Sequence, residues 1–224
     1  MKPSSLILAA ALTLSTVTGW WDQAVQSFGR ADTYYPASLS IRVEEYSKDN
    51  KLESVEWGEI RQSWVQGKMV STVIKAEKDG KNITEAWQKR YDKQNEGQEA
   101  KNSGAPEGYD VTPFEAKYRG DLVLDDKNIV SADGQIAVPY EVRGKKAKAA
   151  GVVFFTPQGV PVRAVQSYLT LPPFVKTLKA EFSYAVVDNT LVMSSLVMNT
   201  SVNAVLLVKN YRIEMLFRDW KPKM

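Results

Sequence analysis

The sequence of 224 residues contains neither cysteine nor histidine. Without cysteine the chain cannot form a disulfide, offer a thiolate to a metal or carry the lipid-modified cysteine of a bacterial lipoprotein. Without histidine it cannot build a Ser-His-Asp triad, a histidine-ligated zinc site or an imidazole acid/base pair. Carboxylates, lysine, tyrosine and hydroxyl groups remain as possible catalysts, but no motif assembles them. The sequence therefore predicts that this protein is not an enzyme.

The chain also has no large excess of positive or negative charge. It contains 29 Lys+Arg and 26 Asp+Glu, which give a net charge of +3. Basic and acidic residues are interspersed along most of the chain, so a nucleic-acid partner is not expected. No glycine-rich phosphate-binding motif occurs, which argues against a nucleotide cofactor. Asp125, Asp126 and Asp133 lack the regular spacing of a calcium loop. The prediction is thus no cofactor and no metal.

The tightest basic run consists of Arg143, Lys145, Lys146 and Lys148. A solvated turn is the favoured interpretation of such a run. Contact with an anionic membrane or an acidic partner is the alternative.

Long hydrophobic runs are absent after the N-terminus. Lys2 and the apolar run from Leu6 to Leu14 are typical of a secretory signal peptide, with cleavage expected after Gly19. An uncleaved N-terminal anchor is the alternative. No later run approaches 18 apolar residues, so no transmembrane span is expected after cleavage. The prediction is a signal peptide over residues 1–19 and one soluble domain over 20–224, located in the periplasm.

Most of the remaining pattern has the period of a β-strand, as in Leu39, Ile41 and Val43, which alternate with polar residues. Ser54 to Trp64 continues the pattern, and its two apolar sets share one face only if Gly58 makes a bulge. Lys68 to Glu77 is expected to place alternate residues on one face: Val70, Thr72, Ile74 and Ala76. Further strands are predicted over Lys117–Leu124, Ile136–Arg143, Ala150–Phe155, Val162–Leu169, Thr177–Val187, Leu191–Asn199, Ala204–Glu214 and the tail to Trp220.

Only two helices are predicted. The first, from Trp20 to Arg30, is an amphipathic helix packed on the sheet, because its apolar side chains lie at helical spacing: Trp20, Trp21, Ala24, Val25 and Phe28. An exposed aromatic hook is the alternative. Glu85 to Gln94 form the second helix, with Thr84 as its N-cap and two aromatic residues facing inward. Residues 95–108 are almost free of apolar side chains, which predicts a mobile polar loop. The fold class is therefore mainly β (α+β), with one large curved antiparallel sheet and a few short helices.

Two pairs of glutamates could in principle serve as acid and base. Adjacent residues of a strand point to opposite faces, which separates Glu44 from Glu45. Glu56 and Glu59 form the second pair. A solvated strand face is the simpler interpretation of both pairs.

The segment Gly151-Val-Val-Phe-Phe-Thr-Pro-Gln-Gly-Val-Pro-Val-Arg163, followed by Leu171-Pro-Pro-Phe-Val-Lys176, has the form of strand, hairpin and strand. The chain ends in a basic and aromatic strand, Tyr211 to Trp220, and Lys78 to Thr84 join a strand to a helix. This order resembles the periplasmic lipoprotein-carrier (LolA/LolB-like) half-barrel superfamily, particularly its uncharacterised exported members. The resemblance covers about Leu39 to Trp220 and consists of turn and strand patterns.

The resemblance implies an incomplete antiparallel barrel, with short helices on its concave side and an apolar concavity. It implies a carrier or chaperone for a lipophilic cargo, either a lipid or a lipoprotein acyl chain. A cell-envelope interaction module, with a filled core and an envelope or inner-membrane protein as partner, is the alternative. A carboxylate-dependent hydrolase is a third hypothesis.

Several aromatic and methionine residues are candidates to line such a concavity, because they are large, apolar and adaptable in shape. The predicted lining residues are Trp57, Trp64, Phe154, Tyr168, Phe182, Met193 and Met198.

Overall fold

A computed structural model of the protein describes residues 14–95, 112–145, 148–204 and 207–224. Most of these residues lie in twelve strands: β1 (Tyr34–Ser47), β2 (Leu52–Val65), β3 (Lys68–Lys78), β4 (Lys81–Asn82), β5 (Leu122–Leu124), β6 (Val130–Ala132), β7 (Gln135–Arg143), β8 (Lys148–Phe155), β9 (Pro161–Tyr168), β10 (Val175–Val187), β11 (Thr190–Ala204) and β12 (Leu207–Pro222). Two α-helices accompany them, α1 (Leu14–Gly29) and α2 (Thr84–Asn95), together with 3-10 segments at Arg30–Thr33, Ala116–Asp121 and Asp126–Asn128.

The strands form one sheet in the order β4-β3-β2-β1-β12-β11-β10-β9-β8-β7-β5, with β6 also paired to β7. All pairings among the described strands are antiparallel. The sheet stays open and does not close into a barrel. The predicted mainly-β class, with a large antiparallel sheet and few helices, is confirmed.

The first and last long strands hold the two halves of the sheet together. β1 pairs with β12 from Tyr34 opposite Pro222 to Ser47 opposite Lys209. This long pairing joins the N-terminal meander to the C-terminal one, so the centre of the sheet is built from opposite ends of the chain. Contacts this distant in sequence could not be assigned from strand periodicity alone.

Both α-helices pack on the same face of the sheet, which we call the helix-covered face. α1 buries Trp21 and Ala24, as the spacing of its apolar residues predicts. The helix begins six residues before the predicted start, and Val17 is also fully buried. The expected cleavage position after Gly19 lies inside this helix, and cleavage itself stays a prediction.

The core beneath α1 is large and aromatic. Trp21 lies 5.3 Å from the ring of Phe114, 5.2 Å from Tyr140 and 5.9 Å from Phe155. The Trp21 indole N–H donates to the carbonyl of Pro113 at 3.2 Å, which satisfies the one polar group that this side chain buries. We call this the α1 core; its other buried members include Val138, Val142, Val153, Ala164, Ala180, Phe182, Tyr184 and Leu191.

The core beneath α2 is smaller and is completed by hydrogen bonds. It buries Leu39, Ile60, Val73, Ala76 and Trp87. Trp87 and Tyr91 both pack inward, as predicted. We call this group the α2 core.

Side chains of α2 also cover the outer edge of β3. The Val73 amide donates to the side-chain oxygen of Gln88 at 2.6 Å, and the Ala76 amide donates to the Thr84 hydroxyl oxygen at 2.9 Å. These bonds occupy donors that an uncovered edge strand would offer to another chain. Thr84 thus bonds to the strand rather than capping its helix, and the Asn82 side chain accepts from the Thr84 amide instead.

A bulge in β3 changes the predicted pattern of that strand. Glu59 pairs with Lys75 but Ile60 pairs with Val73, so Ile74 is the extra residue. Beyond the bulge the parity of the strand reverses. Ala76 and Val73 are therefore buried while Ile74 and Val70 are exposed, so the expectation of one shared face was wrong.

Strand β2 runs regularly through Gly58 in its pairing with β1. The bulge that would have placed both apolar sets of this strand on one face does not form. Ile41 pairs with Gly58 and Leu39 with Ile60 without a shift. Gly58 instead leaves room for the ring of Trp87, since a Cβ atom there would overlap it.

Residues predicted as a strand from Lys117 form a 3-10 helix over Ala116–Asp121, and only Leu122–Leu124 pair with β7. The last two predicted strands are one continuous strand, β12. Of the predicted mobile loop, only residue 95 is described; residues 96–108 lie outside the described residues.

Candidate functional site

An apolar strip crosses the helix-covered face between the two cores. It consists of six half-buried side chains, which we call the apolar strip: Ile41, Val43, Leu196, Met198, Ile213 and Met215. Strand register arranges them in two rows, because directly paired residues lie on the same face. Leu196, Met215 and Ile41 form one row. Met198, Ile213 and Val43 form the other.

The strip joins the two cores but lies between the helices that cover them. Leu196 and Met198 pack against the α1 core, whereas Ile41 and Met215 pack against the α2 core. Helix α1 contacts β11, and α2 contacts β3. Three strands at about 4.8 Å spacing make the strip about 10 Å wide. All six side chains are half-buried, so part of the surface of the strip is accessible to a ligand.

Paired charges border one end of the strip. The Lys209 ammonium group forms ion pairs with Glu45, at 2.6 Å, and with Glu53. These two carboxylates raise the pKa of Lys209 well above its usual range. Lys209 therefore stays protonated at any physiological pH and marks the polar boundary of the strip.

The carboxylate of Glu56, also on this face, contacts side chains of α2. Glu56 accepts a hydrogen bond from the Trp87 indole N–H at 2.6 Å and lies 3.4 Å from the Arg90 guanidinium group. Register places Glu56 on the helix-covered face and Glu59 on the opposite one. Glu45 and Glu44 are separated in the same way. Neither pair of glutamates therefore flanks a common cleft.

The opposite face carries a polar network centred on Glu44, which is only 8% exposed. The Tyr46 hydroxyl donates to Glu44 at 2.7 Å, the Arg42 guanidinium group lies 2.8 Å away and Arg212 lies 3.7 Å away. Chiefly through the Tyr46 bond, and then through Arg42, the pKa of Glu44 is held below its ordinary value although burial opposes this. These three neighbours stabilise the negative charge of the Glu44 carboxylate at this position.

Four predicted lining residues lie on the helix-covered face at or near the α1 core. Met198 belongs to the apolar strip, and Met193 packs at the edge of the α1 core. Tyr168 and Phe182 are buried inside that core.

The other three predicted lining residues lie apart from the strip. Trp64 is on the helix-covered face at the far end of β2, with the Lys223 ammonium 4.8 Å from its ring centroid. Trp57 and Phe154 are on the opposite face, where Lys75 and Arg163 stack on their rings. Lining by any of the seven residues stays a prediction.

Sequence reasoning missed most of the strip, although the alternation of Ile41 and Val43 was visible. The missing information was the register of β1 against β12 and of β12 against β11. Register identifies Ile213 and Met215 as neighbours of residues that are far away in sequence.

Among the described residues, no group of three or more acidic side chains is placed to hold a metal ion. No described helix has both the length and the apolar character needed to cross a membrane.

No protein-family model matches the chain, and no curated protein matches it. Among solved structures, the chain is similar to a DUF1329 family protein from Desulfovibrio piger, with 8% identity over 93% of each chain and a TM-score of 0.35. It is also similar to MucB in complex with MucA, with 10% identity, coverage of 93% of this chain and 99% of that chain, and a TM-score of 0.22; a second MucA/MucB complex, from Pseudomonas aeruginosa, gives the same values. With TM-scores below 0.5, these likenesses carry no inference about what this protein binds.

Proposed function

We propose that this protein is an exported carrier or chaperone that shelters a lipophilic cargo, a lipid or an acyl chain, on the apolar strip. The observation that supports this is the position of the strip, between two helices and continuous with both cores. A cargo that covers Met198, Ile213 and Met215 would extend the existing apolar packing.

The chemistry of the strip suits a ligand of variable shape. Each methylene group removed from water contributes about 0.8 kcal/mol, so an acyl chain can bind without any directional contact. Methionine side chains adapt to different outlines because they are unbranched and polarizable. The ion pairs of Lys209 at the border would stay in water while the cargo lies inward.

Native mass spectrometry of the protein purified without detergent, followed by lipid extraction, is the first test. A stoichiometric lipophilic adduct supports the proposal and identifies the class of cargo. A clean mass without ligand, together with no binding of a fluorescent fatty acid, overturns it and favours an envelope interaction module with a filled core.

Two conservative variants locate the binding. Val43→Thr and Ile213→Thr keep the β-branched shape but place a hydroxyl group in the strip. We expect each to weaken binding of the fluorescent fatty acid by about tenfold, because one polar group loses its water when the cargo covers it. Val165→Thr, on the opposite face, is the matched control and should bind normally. Equal losses in all three variants would contradict binding on the strip.

A further inference from the structure

Backbone hydrogen bonds join neighbouring strand ends at one end of the sheet. The Leu169 amide donates to the carbonyl of Lys148 at 2.8 Å, which joins the connection after β9 to the start of β8. The Asn203 amide donates to the carbonyl of Phe174 at 2.7 Å, which joins the same connection to the end of β11. We call this end of the sheet the basic tip; it comprises Lys145, Lys148, Leu169, Phe174, Lys176 and Val208.

Large apolar side chains point into solvent at the basic tip. Leu169 is 61% exposed and Phe174 is 59% exposed, and Val208 at the start of β12 is 40% exposed. Isolated exposed apolar residues are ordinary, but Leu169 and Phe174 stand on the same connection between β9 and β10. Val208 pairs with Asn203, whose amide bonds to Phe174. Exposed apolar side chains grouped at the end of a sheet are suited to insertion into another apolar medium, whereas a groove would be suited to enclosing a ligand.

The backbone at Phe174 is held in an unusual conformation. Its φ angle is +69°, in the left-handed region that bulky residues rarely adopt. The Asn203 bond and a bond from the Val175 amide to the carbonyl of Pro172, at 3.2 Å, fix the turn on both sides. Strained residues that the surrounding structure holds in place are common at binding sites. The residue held in this conformation has its phenyl ring exposed to solvent.

Three exposed cations lie at the same end of the sheet as these apolar side chains. Lys145, Lys148 and Lys176 are exposed, and none of them forms an ion pair with another described residue. The turns at the opposite end of the sheet differ, since the β8–β9 turn contains no charged residue and the β10–β11 turn contains Asp188. Within strands β7 to β11 and the turns between them, basic charge is therefore concentrated at the end where the apolar side chains lie, whereas the exposed cations Lys68 and Lys221 belong to other strands at the opposite end.

We propose that the basic tip docks onto an anionic lipid surface, with Phe174 and Leu169 entering the interfacial region and the three lysines contacting lipid phosphates. Apolar insertion and basic charge together provide the two contributions that stable peripheral binding needs. These lysines, which have no ion-pair partner in the part of the chain that the structure describes, favour an anionic membrane over a second copy of this chain, whose own tip would repel them. This surface is separate from the apolar strip and does not depend on its cargo.

Co-sedimentation of the full chain with phosphatidylcholine vesicles, with and without phosphatidylglycerol, tests the proposal. We expect binding only to the anionic vesicles, weakening as salt is raised. Lys148→Gln and Lys176→Gln should each weaken binding by about fivefold. Phe174→Asn should also weaken it by about fivefold or more, and asparagine tolerates the positive φ angle, so the turn can be kept.

Matched controls are available at the opposite end of the sheet. Val186→Thr removes an exposed apolar group and Lys68→Gln removes an exposed cation, and neither should change vesicle binding. Absence of binding to anionic vesicles, or equal losses in the controls, would overturn the proposal. Self-association without vesicles that Phe174→Asn abolishes would overturn it in favour of a second copy. Fatty-acid binding in the same variants separates failure of the docking surface from failure of the cargo site.

Discussion

The two halves of the helix-covered face solve the same packing problem in different ways. Helix α1 is attached by buried aromatic rings, with Trp21 in contact with three of them. Helix α2 is attached by one buried tryptophan and by hydrogen bonds that the Val73 and Ala76 amides of β3 donate to its side chains. Apolar burial is non-directional, whereas the hydrogen bonds fix α2 to particular residues of one strand. The α1 half should therefore dominate global stability, and the α2 half should control local order at the sheet edge.

The largest expected effect is at Trp21. Trp21→Ala should lower the free energy of unfolding by about 3–5 kcal/mol, because it removes a fully buried ring and leaves a cavity among aromatic neighbours. Urea denaturation measures this loss. Trp20→Ala, at a half-buried position on the same helix, is the control and should cost less. Equal losses would show that α1 is not anchored by its buried face.

An added methyl group tests the α2 half. Gly58→Ala should lower the free energy of unfolding by about 1–3 kcal/mol, because the new Cβ atom overlaps the Trp87 ring and displaces it. Tryptophan fluorescence and thermal melting report both consequences. Gly120→Ala meets no heavy atom within 4 Å and should change stability little. Unchanged stability in Gly58→Ala would mean that α2 is free to shift.

Removal of a hydrogen bond should have a smaller and more local effect. Gln88→Ala leaves the Val73 amide without its acceptor and should cost about 1 kcal/mol. Hydrogen exchange should show faster exchange at the Val73 amide, while amides of the α1 core keep their protection. Lys89→Ala removes only an exposed ion pair with Glu85 and should cost no more than about 0.5 kcal/mol. Loss of protection in both halves would contradict their independence.

The smallest effect concerns the strand that both halves share. The pKa of Glu44 is lowered in the folded protein, so its contribution to stability is complete above the unfolded-state value of about 4.3 and is lost as pH falls through the folded value. Glu44→Gln should therefore flatten the acid limb of the stability curve. Tyr46→Phe removes the main hydrogen bond to the carboxylate and should move that limb to higher pH.

Glu59→Gln is the control for the acid limb, since Glu59 is exposed on the same face. An acid limb that stays unchanged in Glu44→Gln would rule out this carboxylate as its source.

Local patterns predicted the class of fold. Alternation at Leu39, Ile41 and Val43 indicated half-buried strands, and helical spacing in α1 indicated which residues it would bury. The aromatic pair in α2 was also placed correctly. These features depend on the geometry of a single element, which periodicity reports directly.

Features that involve two elements required the tertiary structure. The bulge at Ile74 depends on how β3 pairs with β2, and the role of Gly58 depends on the arrival of Trp87 from α2. Gly151 is a similar case, because a Cβ atom there would overlap the Val165 carbonyl oxygen of β9 and crowd the Tyr140 ring of β7. No local pattern records which side chain will fill such a space.

The sequence by itself determined that this protein has no cysteine or histidine chemistry, that its strands are antiparallel and that its helices are few. Tertiary structure alone decided that β1 lies beside β12, which assembles the apolar strip from both ends of the chain. It also decided that Phe174 stands beside the end of β11, at a tip bordered by exposed lysines. The physical reason is that periodicity fixes which face a residue occupies, whereas register and strand order fix its neighbours.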